Sequence, residues 1–570
     1  MEEYIKAALK KQKADLVLKG GSFVNTLTQE IIKADIAVVG SKIVGFGEGY
    51  EGKEVIDISG KIVTPGLIDG HVHIESSQLS PEEFASLILP RGTTTIIADP
   101  HEVTNVCGMA GAEYIARASE NVPLEVKVML PSCVPATPFE TSGANLTGRD
   151  TRENIGNSYI YGLGELMNYP GVISCVPDVL EKIQAAHEKG KIVDGHAPTL
   201  SGDALNAYLS AGISTDHECI TVKEIQEKIE RGLYCHLRHG SSTRNLVSNS
   251  KAVNEKNLRR FLLCTDDRHA ADLKRKGHLD DALRALVRSG FNPVWAIVIA
   301  TLNNAECYGL RWKGAIAPYY DADLVVFDNL TDFNAEIVVK NGIIVAKEGK
   351  PLFDTSKRYL PENVLNTVHF NPVKADDFLL PLKGKKAHVI QIVPDNVATL
   401  DVVREVECKE GDVVVKGTNL LKLAVVERHH FTGNIGKGLL EGYGFKGGAI
   451  GVSIAHDSHN VILLGDSNED MAAAANHLRE IGGGMVIAHD GICESVTLDI
   501  AGLMSSKSEA ILEAESYALI EKAYQMGVDR RFEAFMSLIF LSLAVIPDLK
   551  LTDRGLFDVN RFQLIDINAD

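Results

Sequence analysis

Two histidines one residue apart close the run Leu67-Ile68-Asp69-Gly70-His71-Val72-His73, and their spacing points to a metal. Side chains at i and i+2 of a β-strand share a face, so His71 and His73 can meet one ion. Further donors recur singly at later apolar runs. They are Glu165 in Gly162-Leu163-Gly164-Glu165, His196 after Ile192-Val193-Asp194-Gly195, His217 in Thr215-Asp216-His217, and Asp266 after Leu262-Leu263-Cys264-Thr265. Four imidazoles and two carboxylates exceed what one catalytic ion with an open position takes; they suit two ions sharing a bridge. Nitrogen and oxygen donors without thiolate fit Zn, Mn or Fe alike. Two divalent cations about 3.5–4 Å apart lower the pKa of a bridging water, which gives hydroxide near neutral pH. Asp266 is the candidate to take that water's proton and return it to a leaving group, and Glu165 is the candidate bridge. Such a site hydrolyses a planar sp² carbon bearing nitrogen, in an amide, an imide or an aminopurine.

The elements that must position these residues follow from the same text. Short apolar runs alternate with helical stretches at the repeat of a βα unit, with strands predicted to end at His73, Asp99, Pro131, Glu165, His196, His217, Arg238 and Asp266. Eight such strands predict an α/β fold, a (β/α)8 TIM-type barrel whose chemistry lies at the carboxyl ends of its strands. Before it, Ala14 to about Val63 reads as strand and turn, too little to bury itself well alone. Asp323–Phe327 and Glu336–Val345, with an Asn341-Gly342 turn, supply strands of the same kind. The expected division is therefore residues 1–64 and 316–368 as two halves of a split β-sandwich, 65–315 as the metal-dependent hydrolase barrel, and 369–570 as an additional C-terminal α/β domain. That last part has apolar strands such as Ala449–Ile454 and Val461–Leu464, with a helix over Asp470–Ile481.

A chain of 570 residues is too long for a single core. A net charge of −18 disfavours nucleic acid as a partner and favours a small-molecule substrate. The nine cysteines lack paired spacings, which suits a reducing compartment. Met1 to Leu16 lacks the apolar centre of a signal peptide, and Phe535 to Ile546 is too short to span a bilayer and reads as a buried helix. A cytoplasmic protein without a membrane partner is expected, as a homo-oligomer.

The motifs carry a resemblance. Pro65-Gly66-Leu67-Ile68-Asp69-Gly70-His71-Val72-His73 resembles the first-strand signature of the amidohydrolase superfamily. Ile74-Glu75-Ser76-Ser77, Gly92-Thr93-Thr94-Thr95, Ala98-Asp99-Pro100-His101-Glu102 and Cys264-Thr265-Asp266-Asp267-Arg268-His269 narrow it, and the chain is similar to the bacterial and archaeal adenine deaminase family. The C-terminal segments Thr432-Gly433-Asn434-Ile435-Gly436 and Ala455-His456-Asp457-Ser458-His459-Asn460 match that family too. The resemblance covers almost the whole chain. It implies two divalent metal ions, Mn²⁺ or Fe²⁺, and conversion of adenine and water to hypoxanthine and ammonia by attack of a metal-bridging hydroxide on C6. It implies His71, His73, His196, His217 and Asp266 as ligands, with Glu165 where many relatives bridge with a carbamylated lysine. The chain departs from the family's pattern at His239, where an acidic residue is expected, and at Asn303-Asn304-Ala305.

Glu75, Asp99, His101 and Glu102 are expected near the barrel mouth, meeting purine edges or orienting the ligand imidazoles. Arg238 is a candidate to hydrogen-bond a ring nitrogen. His456 belongs to a strand-end loop expected to cover the site, Asp267 is expected to point away from it, and His429-His430 reads as a packed pair. Among rival classes, cyclic amide hydrolysis is disfavoured by Glu165 in place of lysine. The zinc deaminases of flipped bases are disfavoured by the absence of their His-x-Glu and Pro-Cys-x-x-Cys signature. A non-catalytic scaffold is disfavoured by the complete donor set.

Overall fold

The computed structural model describes residues 1–241, 243–394 and 397–569. Its centre is a closed barrel of eight parallel strands, Leu67–His73, Thr93–Ala98, Glu125–Leu130, Ile160–Leu166, Val193–Gly195, Thr215–Asp216, Tyr234–Arg238 and Phe261–Cys264. A two-residue continuation of the last strand, Asp266–Asp267, pairs in parallel with Val72 and His73 of the first and closes the ring. Between the fifth and sixth strands the Ser214 N–H donates to the Val193 carbonyl at 3.1 Å. Every residue of the first strand is buried, as expected of a parallel strand covered on both faces. Helices return the chain to the amino-terminal end of the barrel and begin at defined caps. The Thr221 hydroxyl accepts from the Glu224 N–H, and Thr147 with Asp150 forms a capping box.

The strands flanking the barrel in sequence share one sheet. Leu324–Phe327 pairs antiparallel with Ile62–Pro65, which pairs in turn with Ser22–Asn25. A second, four-stranded sheet packs on it through Leu16, Leu18, Val38, Phe23, Val63 and Leu324. Asn341 and Gly342 both have positive φ, +50° and +79°, the geometry of a two-residue hairpin turn. A Cβ on Gly342 would collide with the Gly40 carbonyl, so only glycine fits there.

The C-terminal region is built on one eight-stranded sheet in which every pairing but one is antiparallel. The exception is Lys386–Ile392 against Ile435–Glu441. Helix Asn468–Glu480, capped by Ser467, buries Met471, Ala474, Ala475 and Leu478 on one face. The other face continues into the core shared with the barrel, through Leu423, Val425, Ile450 and Ile462. The stretch Phe535–Ile546 is buried through Phe535, Leu538, Ile539, Leu541 and Ala544 but exposes Val545, and it is not one helix. It forms a short helix, Met536–Ile539, and a 3-10 turn, Phe540–Ser542. The Phe540 carbonyl accepts the Leu543 N–H at 3.3 Å and the Lys550 ammonium at 3.1 Å, which closes the turn. Among the described residues no helix is long and apolar enough to cross a membrane.

Candidate metal centre and substrate cavity

His71 and His73 leave the first strand on one face, and each ring is oriented from behind. His73 Nδ1 donates to the Asp99 carbonyl at 2.7 Å, and His71 Nδ1 faces the Asp194 carboxylate at 3.2 Å. Those partners fix the tautomers, as is usual for ligating histidines. Both Nε2 atoms then present lone pairs, yet they lie 3.1 Å apart. Facing lone pairs at that distance repel unless a cation sits between them. Ligand atoms about 2.1 Å from a common ion are about 3–3.4 Å from each other, which this pair matches. Asp266 Oδ1 joins the group, 3.2 Å from His73 Nε2 and 3.6 Å from His71 Nε2.

A second group lies beside it. His196 Nδ1 and His217 Nε2 are 3.3 Å apart. Glu165 connects the two groups, with Oε1 3.4 Å from His73 Nε2 and Oε2 2.8 Å from His196 Nδ1 and 3.2 Å from His217 Nε2. One carboxylate thus offers one oxygen to each set of nitrogens. Several of these trios could each hold a metal ion. The donor chemistry fits a pair of divalent cations, with no thiolate among the atoms that converge.

The backbone beneath is shaped for this. A Cβ on Gly164 would collide with the Asp99 carboxylate, so glycine lets that carboxylate accept the Glu165 N–H at 2.7 Å. Asp266 is held at φ +62°, a conformation L-residues seldom adopt, at the point where the last strand bends onto the first. The His217 ring stacks on His71 with centroids 4.0 Å apart. Next to it Asp216 is anchored by the buried Lys228 ammonium at 2.6 Å.

Electrostatics separates the roles of the buried acids. Burial raises the proton affinity of Asp266, but the Arg238 guanidinium beside it outweighs this and holds the carboxyl well below its usual range. Burial likewise opposes ionisation of Glu165, and the His101, His196 and His217 imidazoles around it overcome it. The His71 imidazole is kept neutral by burial and by His217 and His73. Glu75 goes the other way: burial, then Glu102, push it up to about 7.

The outer residues form a relay away from this centre. His101 Nδ1 is 3.3 Å from Glu165 Oε1, and its Nε2 is 3.5 Å from Glu102 Oε1. Glu102 Oε1 is 2.9 Å from His456 Nδ1, and its other oxygen pairs with His459 Nε2, so two histidines of the C-terminal region flank one barrel carboxylate. Glu75, Glu102, Asp267, His269, His456 and Phe540 line part of a small pocket beside the centre.

The structure brings His71, His73, Glu165, His196, His217 and Asp266 together, with Asp99 and His101 directly behind them. Arg238 is turned to other partners than a ligand, donating to both oxygens of Glu218 and, at 2.6 Å, to Asp266 Oδ2. Asp267 differs from expectation: it lines the cavity and accepts from the Ser76 hydroxyl, because the positive φ of Asp266 interrupts the strand's regular alternation of faces. His429 and His430 are a packed pair, facing the carbonyls of Ser458 and Ser142. Sequence reasoning missed Asp194, Glu218 and the apolar cavity wall. Asp194 had a signal, two residues before His196 on the same strand; Phe540 had none.

A closed parallel barrel with histidines and carboxylates converging at the carboxyl ends of its strands is the architecture of the amidohydrolase class, and residues 62–351 match the Amidohydrolase family. Residues 396–563 match the Adenine deaminase C-terminal domain. The chain is 46% identical over 568 residues to adenine deaminase of Clostridium acetobutylicum, covering 99% of this chain and 100% of that one. It is 44% identical to those of Nitratidesulfovibrio vulgaris strain Hildenborough and Geobacillus kaustophilus, covering 100% of this chain and 99% of each. The chain belongs to the adenine deaminase family of amidohydrolase enzymes.

Proposed function

We propose that the protein hydrolyses adenine to hypoxanthine and ammonia, with His71, His73, Glu165, His196, His217 and Asp266 holding two divalent cations, Mn²⁺ or Fe²⁺. The carrying observation is the Glu165 carboxylate, one oxygen toward each of two groups of donors. The full-length likeness to the named adenine deaminases supports the substrate. When bound, the cations supply the Lewis acidity that makes water a nucleophile near neutral pH.

The chain's own residues manage binding and protons. Water oxygen bonds to C6 and the C6–N bond breaks, so one proton must leave the water and the amine must gain one. Asp266 is ionised, and Arg238 occupies its Oδ2, which leaves Oδ1 to accept that proton and pass it to the departing amine. Glu75, Glu102, Asp267 and His456 meet the ring edges, and Asp99 and His101 steady Glu165 and His73. The same reading divides the chain at residues 1–64, 65–315, 316–368 and 369–570. It makes the protein a cytoplasmic homo-oligomer acting on a small molecule, in keeping with the acidic charge of −18.

The test is purification with Mn²⁺ or with Fe²⁺, then adenine and adenosine supplied separately, following ammonia release and purine absorbance. Turnover of adenine is expected. No turnover of adenine in either metal form overturns the reading.

A further inference from the structure

The cavity beside the metal centre has two unlike walls. Glu75, Glu102 and Asp267 come from the barrel, whereas Ile454, Leu503, Met536, Ile539 and Phe540 come wholly from the C-terminal region and are apolar. We infer that the segment Met536–Ser542 is the surface on which the ligand's ring packs, that Phe540 limits the ligand's reach away from the reacting carbon, and that Lys550 positions this wall. The inference rests on reading the cavity as a purine site.

Successive contacts lead from the metal ligands to Phe540. Glu165 meets His101 at 3.3 Å, His101 meets Glu102 at 3.5 Å, and Glu102 meets His456 at 2.9 Å. The Phe540 ring then lies along the His456 imidazole, with centroids 5.0 Å apart and planes 19° from parallel. Phe540 is therefore linked to the donors only through His101, Glu102 and His456, and it lines the cavity where none of the six donors does. Polar groups facing an apolar plate suit a flat heterocycle, whose edges hydrogen-bond while its face is desolvated.

The wall is tied down at its polar atoms. The His456 N–H donates to the Ile539 carbonyl at 3.1 Å, and the Ser542 hydroxyl donates to the His456 carbonyl at 3.3 Å. From behind, the buried Lys550 ammonium donates to the Phe540 carbonyl at 3.1 Å and the Val397 carbonyl at 2.8 Å. Without Lys550, the Phe540 carbonyl keeps only the Leu543 N–H at 3.3 Å, and the 3-10 turn carrying the ring loses its tie to the strand behind it.

The experiment compares kcat/KM for adenine and for 9-methyladenine, whose added methyl extends the ring system. In Phe540→Ala the ratio of 9-methyladenine to adenine should rise by about tenfold or more, the scale of one methylene in an apolar pocket. Phe540→Leu, which keeps apolar volume without the ring, serves where alanine does not fold. Lys550→Met should move the ratio in the same direction, through KM more than kcat, with metal content unchanged; a merely structural role lowers both substrates together. An unchanged ratio in the Phe540 and Lys550 variants overturns the inference. If the unmodified protein does not turn over adenine, the deamination reading fails by itself. Calorimetric Kd values for both compounds then decide the wall, and equal Kd ratios across the variants overturn it.

Discussion

Arg238 donates to Asp266 across 2.6 Å, through the carboxylate oxygen that faces away from His71 and His73. Glu218 accepts from both terminal nitrogens of the guanidinium, so Arg238 is held on both sides and in turn holds Asp266. A hydrogen bond of this charged kind contributes about 1.5–3 kcal/mol. Arg238→Met should therefore lower kcat/KM by about ten- to a hundredfold while metal content stays within error of the unmodified protein. Steady-state kinetics beside metal analysis checks this. Parallel loss of metal would show that Arg238 supports the whole centre instead.

Asp99 acts on two proposed ligands at once, accepting from His73 Nδ1 through its carbonyl and from the Glu165 N–H through its carboxylate. Only the second contact depends on the side chain. Asp99→Ala should weaken metal affinity by about 10–100-fold, the usual effect of removing a group that orients a ligand. Chelator competition measures it, and activity should return at saturating Mn²⁺.

Glu165→Gln keeps the size of the side chain but removes its charge and one acceptor oxygen. It should lose metal and activity together. Reconstitution of the unmodified protein should proceed without bicarbonate, since the bridge is already a carboxylate. Retained metal with full activity in Glu165→Gln would rule out the bridging role.

Lys550 gives a pH dependence with a definite sign. Burial lowers its pKa to about 7, against an ordinary 10.5. Between those values the unfolded chain binds a proton that the folded chain does not, so stability rises with pH across that window and is penalised below about 7. The thermal midpoint of the unmodified protein should therefore gain on that of Lys550→Met as pH is raised from 6.5 to 9. A difference constant with pH would remove Lys550 from the account.

The barrel was legible in the sequence because its strands are buried on both faces and read as short apolar runs ending in isolated polar residues. The histidine pair was legible because a strand repeats every two residues. Registers and turns such as Asn341-Gly342 are likewise local. The C-terminal region was less so: its helix was placed within two residues at the start, but hairpin pairing made its sheet almost wholly antiparallel.

The residue types at the strand ends, read in order, determined a site of four imidazoles and two carboxylates, because each depends only on where its own strand stops. Which neighbouring groups are already engaged was decided only by the tertiary structure. Arg238 meets Glu218 across 20 residues and Asp266 across 28; Glu102 meets His456 from a different domain; and Lys550 reaches back to Phe540 through a carbonyl. Such pairings depend on how separate elements pack, and no periodicity along the chain encodes them. The donors were written in the strands, and the walls around them arose from folding the C-terminal sheet onto the barrel mouth.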